Sequence, residues 1–173
     1  MAGALIVTAM LGKSDLSRLD GLRRQHFPPE RNFLTAHLTM FHALPPSLEE
    51  EAKALLAQIA AGHRQPRASL SEVMSLGRGV AFRVRSDELE AIRELIAEHF
   101  HGALSAQDSQ GWRPHVTIQN KVEPKVAKSL KAHLEREFEP RPLEIAGLAL
   151  HRYMDGPWDP IGRWTFRGQA SLL

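Results

Sequence analysis

Cysteine is absent from all 173 residues. That removes disulfides, thiol nucleophiles and thiolate zinc sites together, and it fits a reducing cytoplasm, the compartment expected for this chain. Long apolar runs are absent too. The opening "MAGALIVTAML" is apolar, but it has no basic n-region and is too short to cross a bilayer, so it reads as a buried strand. Nor is one sign of charge in excess, since 22 Lys+Arg face 20 Asp+Glu for a net +2 with histidines neutral. An anionic partner is permitted by that balance but not demanded. No low-complexity linker divides residues 1–173, and the 43% hydrophobic and 24% charged shares suit one folded unit. What the chain does have is nine histidines. Imidazole is the side chain whose ordinary pKa, about 6.5, lies near neutral pH.

Patterning alternates between strands and helices. Ala4 to Leu11 is β-rich, and Ser14 or Asp15 then caps a helix carrying Leu16, Leu19 and Leu22 on one face. "HFPPERN" must be a loop, and Phe33 to Ala43 reads as the next strand. Ser47 with Glu50 forms a capping box for a helix stopped by Gly62. Gly77-Arg78-Gly79 marks a hairpin, and Asp87 with Glu90 opens a helix closed at Gly102. From Glu123-Pro124 a helix buries Val126, Leu130, Leu134 and Phe138 and turns Lys125, Lys128, Lys131 and Arg136 to solvent. Strands around Leu143–Tyr153 and Ile161–Phe166 finish the chain, with "MDGPWDPIG" as the loop between them. The mixture indicates an α+β fold.

Two stretches carry the chemistry. "TAHLTMFHAL" holds His37-Leu38-Thr39, and "RPHVTIQNKV" holds His115-Val116-Thr117. The copies lie 115 − 37 = 78 residues apart, one in each half of the chain. In a strand, residues i and i+2 face the same side. Imidazole and hydroxyl therefore face together in each copy, while Leu38, Met40, Val116 and Ile118 point the other way. A single copy is more often a packed histidine than a site; two copies at matching parity shift that balance. If the strands lie side by side, two imidazoles and two hydroxyls converge on one cleft. Cleaving a P–O ester needs one proton removed from the attacking oxygen and one delivered to the leaving oxygen, and two imidazoles can divide that work. Two hydroxyls can donate to the non-bridging oxygens. No metal is required, and no carboxylate lies two residues from either histidine to complete a ligand set.

These motifs, with the closing "LALHRYMDGPW", resemble the signatures of the two-histidine (2H) phosphoesterase superfamily in its bacterial 2'-5' RNA ligase-like branch. The resemblance covers most of the chain. It implies one bilobal domain over residues 1–173: two pseudo-symmetric lobes of antiparallel sheet, helices on the outer faces and a central cleft. It implies His37 and His115 as the acid/base pair and Thr39 and Thr117 as phosphate ligands, with no metal and no cofactor. The implied substrate is RNA or a nucleotide carrying a 2',3'-cyclic or 2'-5' phosphodiester. Which imidazole is the base stays open.

Further residues follow by parity. Phe41 and Gln119 continue the two cleft faces, and Arg113 precedes His115 by two. By resemblance to enzymes with a cleft-lining residue on a late strand, Arg152 or Tyr153 is a candidate; being adjacent, only one can face inward. His42 has the opposite parity and is expected to be structural unless a bulge turns it. Trp112, Trp158 and Trp164 could stack on a base, two of them lying in or beside loops, but packing is the more common fate. No role is expected for His26, His63, His99, His101 or His133. The leading expectation is a cyclic phosphodiesterase with possible reversal as a 2'-5' ligase. Its rival, motivated by the modest net charge, is an RNA- or nucleotide-binding module that performs no chemistry. A monomer is expected, since no apolar stripe is left over.

Overall fold

A computed structural model describes residues 3–168. Its centre is one antiparallel sheet of eight strands: β1 (Leu5–Leu11), β2 (Leu38–Leu44), β3 (Ser69–Ser75), β4 (Val80–Arg85), β5 (His115–Gln119), β6 (Arg141–Pro142), β7 (Ile145–Tyr153) and β8 (Trp158–Thr165). Their spatial order is β6-β3-β4-β5-β2-β1-β7-β8, and the sheet does not close. Four helices complete the α+β fold: α1 (Lys13–His26), α2 (Glu49–Gly62), α3 (Asp87–His99) and α4 (Pro124–Glu137).

Beneath this order lies a repeat. β1-α1-β2 and β4-α3-β5 are the same unit, a strand, a helix and a returning strand, set back to back so that β2 and β5 meet at the centre. Each unit then exports its next strand. β3, which follows β2 through α2, pairs with β4; β7, which follows β5 through α4, pairs with β1. Every four-stranded half is thus completed by the other half of the sequence. The core is continuous from Leu5 and Val7 through Leu38, Met40 and Phe41 to Val80, Val116 and Ile118.

Several boundaries differ from the sequence reading. β2 begins at Leu38 rather than Phe33, because β1 pairs with β2 only as far as Ala9 opposite Leu38, which leaves the preceding residues without a ladder. Residues 46–48 form a 3-10 turn, so Ser47 lies before the helix and α2 has no side-chain cap. In α3 the cap is Ser86, whose Oγ accepts from Leu89 N, not Asp87. α1 starts at Lys13 with Gly12 at its cap position, and Asp15 instead accepts the Glu144 amide. β8 takes in Trp158, Asp159 and Pro160, which the sequence pattern assigns to a loop. As an edge strand it tolerates a proline that a central strand would reject.

Candidate active site

The two motif strands touch through one registered pair, Leu38 opposite Val116. In an antiparallel pair with that register, position 37 lies across from 117 and position 39 across from 115. Beyond this pair the strands part. The opening is a cleft of about 350 Å³ whose lining includes His37, Thr39, His115 and Thr117.

Each motif histidine is oriented in the same way. His37 Nδ1 lies 2.8 Å from the carbonyl oxygen of Thr35, and His115 Nδ1 lies 2.7 Å from that of Arg113. A carbonyl only accepts, so Nδ1 carries the hydrogen in both rings and Nε2 is the atom left for a ligand. His37 keeps partial exposure at its rim but is closely surrounded, its ring 4.7 Å from that of Trp158. Burial pushes its pKa down to about 4, with the positive charge of Arg23 acting in the same direction and the Thr35 carbonyl opposing. His37 is therefore neutral near pH 7.

The parity argument fails just past each motif. Between β1 and β2 the register passes from Val7 opposite Phe41 to Thr8 opposite Thr39, which leaves Met40 as an extra residue. Between β4 and β5 it passes from Val80 opposite Gln119 to Ala81 opposite Thr117, which leaves Ile118 extra. Each half thus carries a bulge at the residue after its threonine, at positions 118 − 40 = 78 apart. A bulge advances the chain by one and reverses the facing of the residues after it. Phe41 and Gln119 are turned into the interior for this reason, and neither lines the cleft. His42 takes the cleft side instead.

The parting of β2 from β5 leaves backbone donors to satisfy, and side chains from afar meet them. The carboxylate of Asp108, 1% exposed, accepts the amides of His42 at 2.9 Å and Ala43 at 3.0 Å, together with His42 Nδ1 at 3.0 Å. Burial alone would raise the Asp108 pKa, but these bonds outweigh it and hold the group below its ordinary value. Two buried arginines brace the motif strands crosswise. Arg23 of α1 reaches the Thr117 carbonyl on β5 at 3.2 Å and lies over Phe27. Arg93 of α3 reaches the carbonyl of the bulged Met40 at 3.0 Å and that of Asp108 at 2.8 Å, and lies over Phe41. Removing Arg93 strands two buried acceptors. Arg93→Met is accordingly expected to lower the unfolding free energy by about 2–4 kcal/mol, read as a shift in the urea midpoint.

Of the remaining candidates, Arg113 lines the cleft. Arg152 does not; it forms an ion pair with Glu49 at the start of α2. Tyr153 is held by its backbone to Gly3 and Ala4 and also lies outside the lining. The neighbour that comes near is His151, whose Nε2 is 3.0 Å from Thr8 Oγ1 and whose ring packs against Trp158. Trp158 and Trp112 both line the cleft, the latter donating to the Thr39 carbonyl at 3.1 Å, whereas Trp164 packs against the core. Asp108 and Arg93 give no signal in the sequence, because one sits alone in a polar loop and the other on an amphipathic helix. Among the described residues no three His, Asp or Glu side chains gather as a metal site, and no helix is long and apolar enough to cross a membrane.

A model of the 2'-5' RNA ligase superfamily matches residues 13–157. The chain belongs to that superfamily. The solved structures it resembles include TT0787 of Thermus thermophilus, with a TM-score of 0.68 and 16% identity over 96% of this chain and 100% of that one. E. coli LigT complexed with NADP+ matches with a TM-score of 0.62 and 14% identity, over 96% and 99%. E. coli LigT complexed with 3'-AMP matches with a TM-score of 0.57 and 18% identity, over 98% and 100%. At these identities the structural likeness speaks for the fold. No curated protein sequence matches the chain. Superfamily membership carries phosphoesterase or ligase chemistry as a class.

Proposed function

We propose that the protein is a metal-independent phosphodiesterase that opens 2',3'-cyclic phosphates at RNA or nucleotide ends, with 2'-5' joining as the parallel reaction in which a 5'-hydroxyl takes the place of water. One observation carries the reading: two imidazoles in a common cleft, each tied back through Nδ1 so that Nε2 is presented, each beside a threonine hydroxyl. The superfamily match and the nucleotides bound by E. coli LigT support it. As in the domain organisation proposed for residues 1–173, each half contributes one arm of the site.

Because His37 is neutral near pH 7, we assign it the first base role. Its Nε2 takes a proton from water as the water oxygen attacks phosphorus. The bond from phosphorus to one ribose oxygen breaks, and His115 Nε2–H delivers a proton to that oxygen, giving a phosphomonoester and a free hydroxyl. Thr39 and Thr117 donate to the non-bridging oxygens as their charge grows. Joining follows the same course with a 5'-hydroxyl in place of water: His37 takes its proton as it attacks phosphorus, the bond to the 3' oxygen breaks, and His115 protonates that oxygen, leaving a 2'-5' diester.

The test is a panel of 2',3'-cyclic, 3',5'-cyclic and 2'-5'-linked substrates assayed in EDTA. Turnover of the 2',3'-cyclic substrates, with 2'-5' products formed only at high concentrations of both ends, is the expected result. Saturable binding without product after long incubation would instead make the protein a binding module.

A further inference from the structure

The two motifs are built alike, yet the site they form is not symmetric. Each imidazole is tied through Nδ1 to the carbonyl two residues earlier, and each half bulges after its threonine. By this local geometry either ring could serve as the base. The difference comes from the strands farther out. Counted from the centre, one half of the sheet runs β2-β1-β7-β8 and the other β5-β4-β3-β6. β8 spans eight residues and brings Trp158 against His37, with ring centroids 4.7 Å apart. Its counterpart β6 has two residues, neither of which lines the cleft. The strands beside the motifs differ as well. Thr39 pairs with Thr8, whose Oγ1 is 3.0 Å from His151 Nε2, whereas Thr117 pairs with Ala81, which has no hydroxyl.

Trp158 and His37 also form a shared wall. Beside the cleft lies a second cavity of about 670 Å³, lined in part by Leu16, Phe33 and His151, and both wall residues line the cleft and the cavity. The His151 ring, fixed by Thr8, lies 5.2 Å from the Trp158 ring, so the indole rests against two imidazoles. We propose that Trp158 is a positioning residue that decides which motif histidine is the base: it keeps water from the His37 ring, braced by His151 and Thr8, and β6 supplies no such cover for His115. The proposal rests on the hydrolytic reading for the base role it explains. Desolvation disfavours a charged imidazole, and burial is the largest cause holding the His37 pKa at about 4. The charged and titratable groups acting on His37 are Arg23 of α1, His115 of β5 and His151 of β7. Arg93, Arg113, His42 and Asp108 line the cleft on one side of the wall, and Lys13, Glu144 and Arg163 the cavity on the other. Asp20 of α1 accepts the Ala36 amide. Replacing the indole alters none of these groups, so its effect on the ring is one of solvent.

The experiment has two arms. The first follows kcat/KM for adenosine 2',3'-cyclic phosphate between about pH 4.5 and about pH 8, which reports the groups of the free enzyme. The second follows the His37 ring by NMR in histidine-labelled protein without substrate, its signals identified by their loss in His37→Ala. In Trp158→Ala water reaches the ring, and its titration should rise by roughly one to two units toward the ordinary imidazole value of about 6.5. His37 is then still largely neutral at pH 7, so kcat/KM there should change little, whereas at pH 5 it should fall by roughly twofold to tenfold. Trp158→Phe restores an apolar ring and should return both the acid limb and the titration toward the wild type. An acid limb and a His37 titration left unmoved by Trp158→Ala overturn the proposal while leaving the hydrolytic reading intact. So does a loss of kcat/KM that is equal at pH 5 and pH 7, which is what damage to the fold or to a substrate contact produces. Should the wild type hydrolyse nothing, that reading fails instead, and the NMR arm decides the present one: the same His37 midpoint with and without the indole rejects it.

Discussion

His37→Ala and His115→Ala are each expected to reduce kcat by about 10²–10⁴-fold on a 2',3'-cyclic substrate in EDTA, the range for loss of a positioned acid or base. Both rings are only partly buried. Their Nδ1 partners are carbonyls of Thr35 and Arg113 at the exposed ends of the strands, which water can satisfy once the ring is gone. Thermal midpoints should accordingly stay close to the wild type, which separates lost chemistry from lost folding. The double variant should fall little below the worse single one, because two groups acting in one proton relay are not additive. Near-normal turnover in either single variant would remove the two-imidazole mechanism.

The threonines give the next largest effect. Thr39→Val and Thr117→Val preserve shape and β-branching while deleting the hydroxyl, and each should cost about 10²–10³-fold in kcat, the range for one donor to a developing oxyanion. The paired register of the strands sets each threonine across from the other motif's histidine, so the two losses should agree within severalfold. Serine at either position retains the donor and should recover most of the rate. Pre-steady-state measurement would check that the loss falls on the chemical step; a change confined to KM would speak against phosphate contact in the transition state.

The sequence made the two motif pairs legible because a strand's two-residue period is local. His37 with Thr39 and His115 with Thr117 share a face whatever else the chain does. The same reasoning broke down two residues later. Phe41 and Gln119 are buried and His42 faces the cleft because bulges at Met40 and Ile118 reverse the alternation. A bulge is a property of two strands in register, and neither strand's residues announce it alone. The late strand misled for a related reason: Arg152 finds Glu49 on α2, a partner 103 positions away that no spacing rule reveals.

Capping shows the same division. Ser47 and Glu50 have the spacing of a capping box, yet the prolines before them wind residues 46–48 into a 3-10 turn and carry Ser47 past the helix end. Ser86, one residue before the position expected, caps α3 and also donates to the Arg67 carbonyl, so a long-range bond fixed the boundary.

By itself, then, the sequence determined the elements, their approximate order, the α+β class and the pairing of imidazole with hydroxyl in two places, all of which come from local periodicity and residue chemistry. Only the tertiary structure decided that β2 and β5 meet through Leu38 and Val116, that each half lends the other a strand, and that Asp108, Arg23 and Arg93 satisfy the backbone where the sheet parts. Those are contacts between residues far apart in the chain, selected by the need to bury apolar faces and leave no polar group unpaired, and that need is felt only once the whole core has assembled.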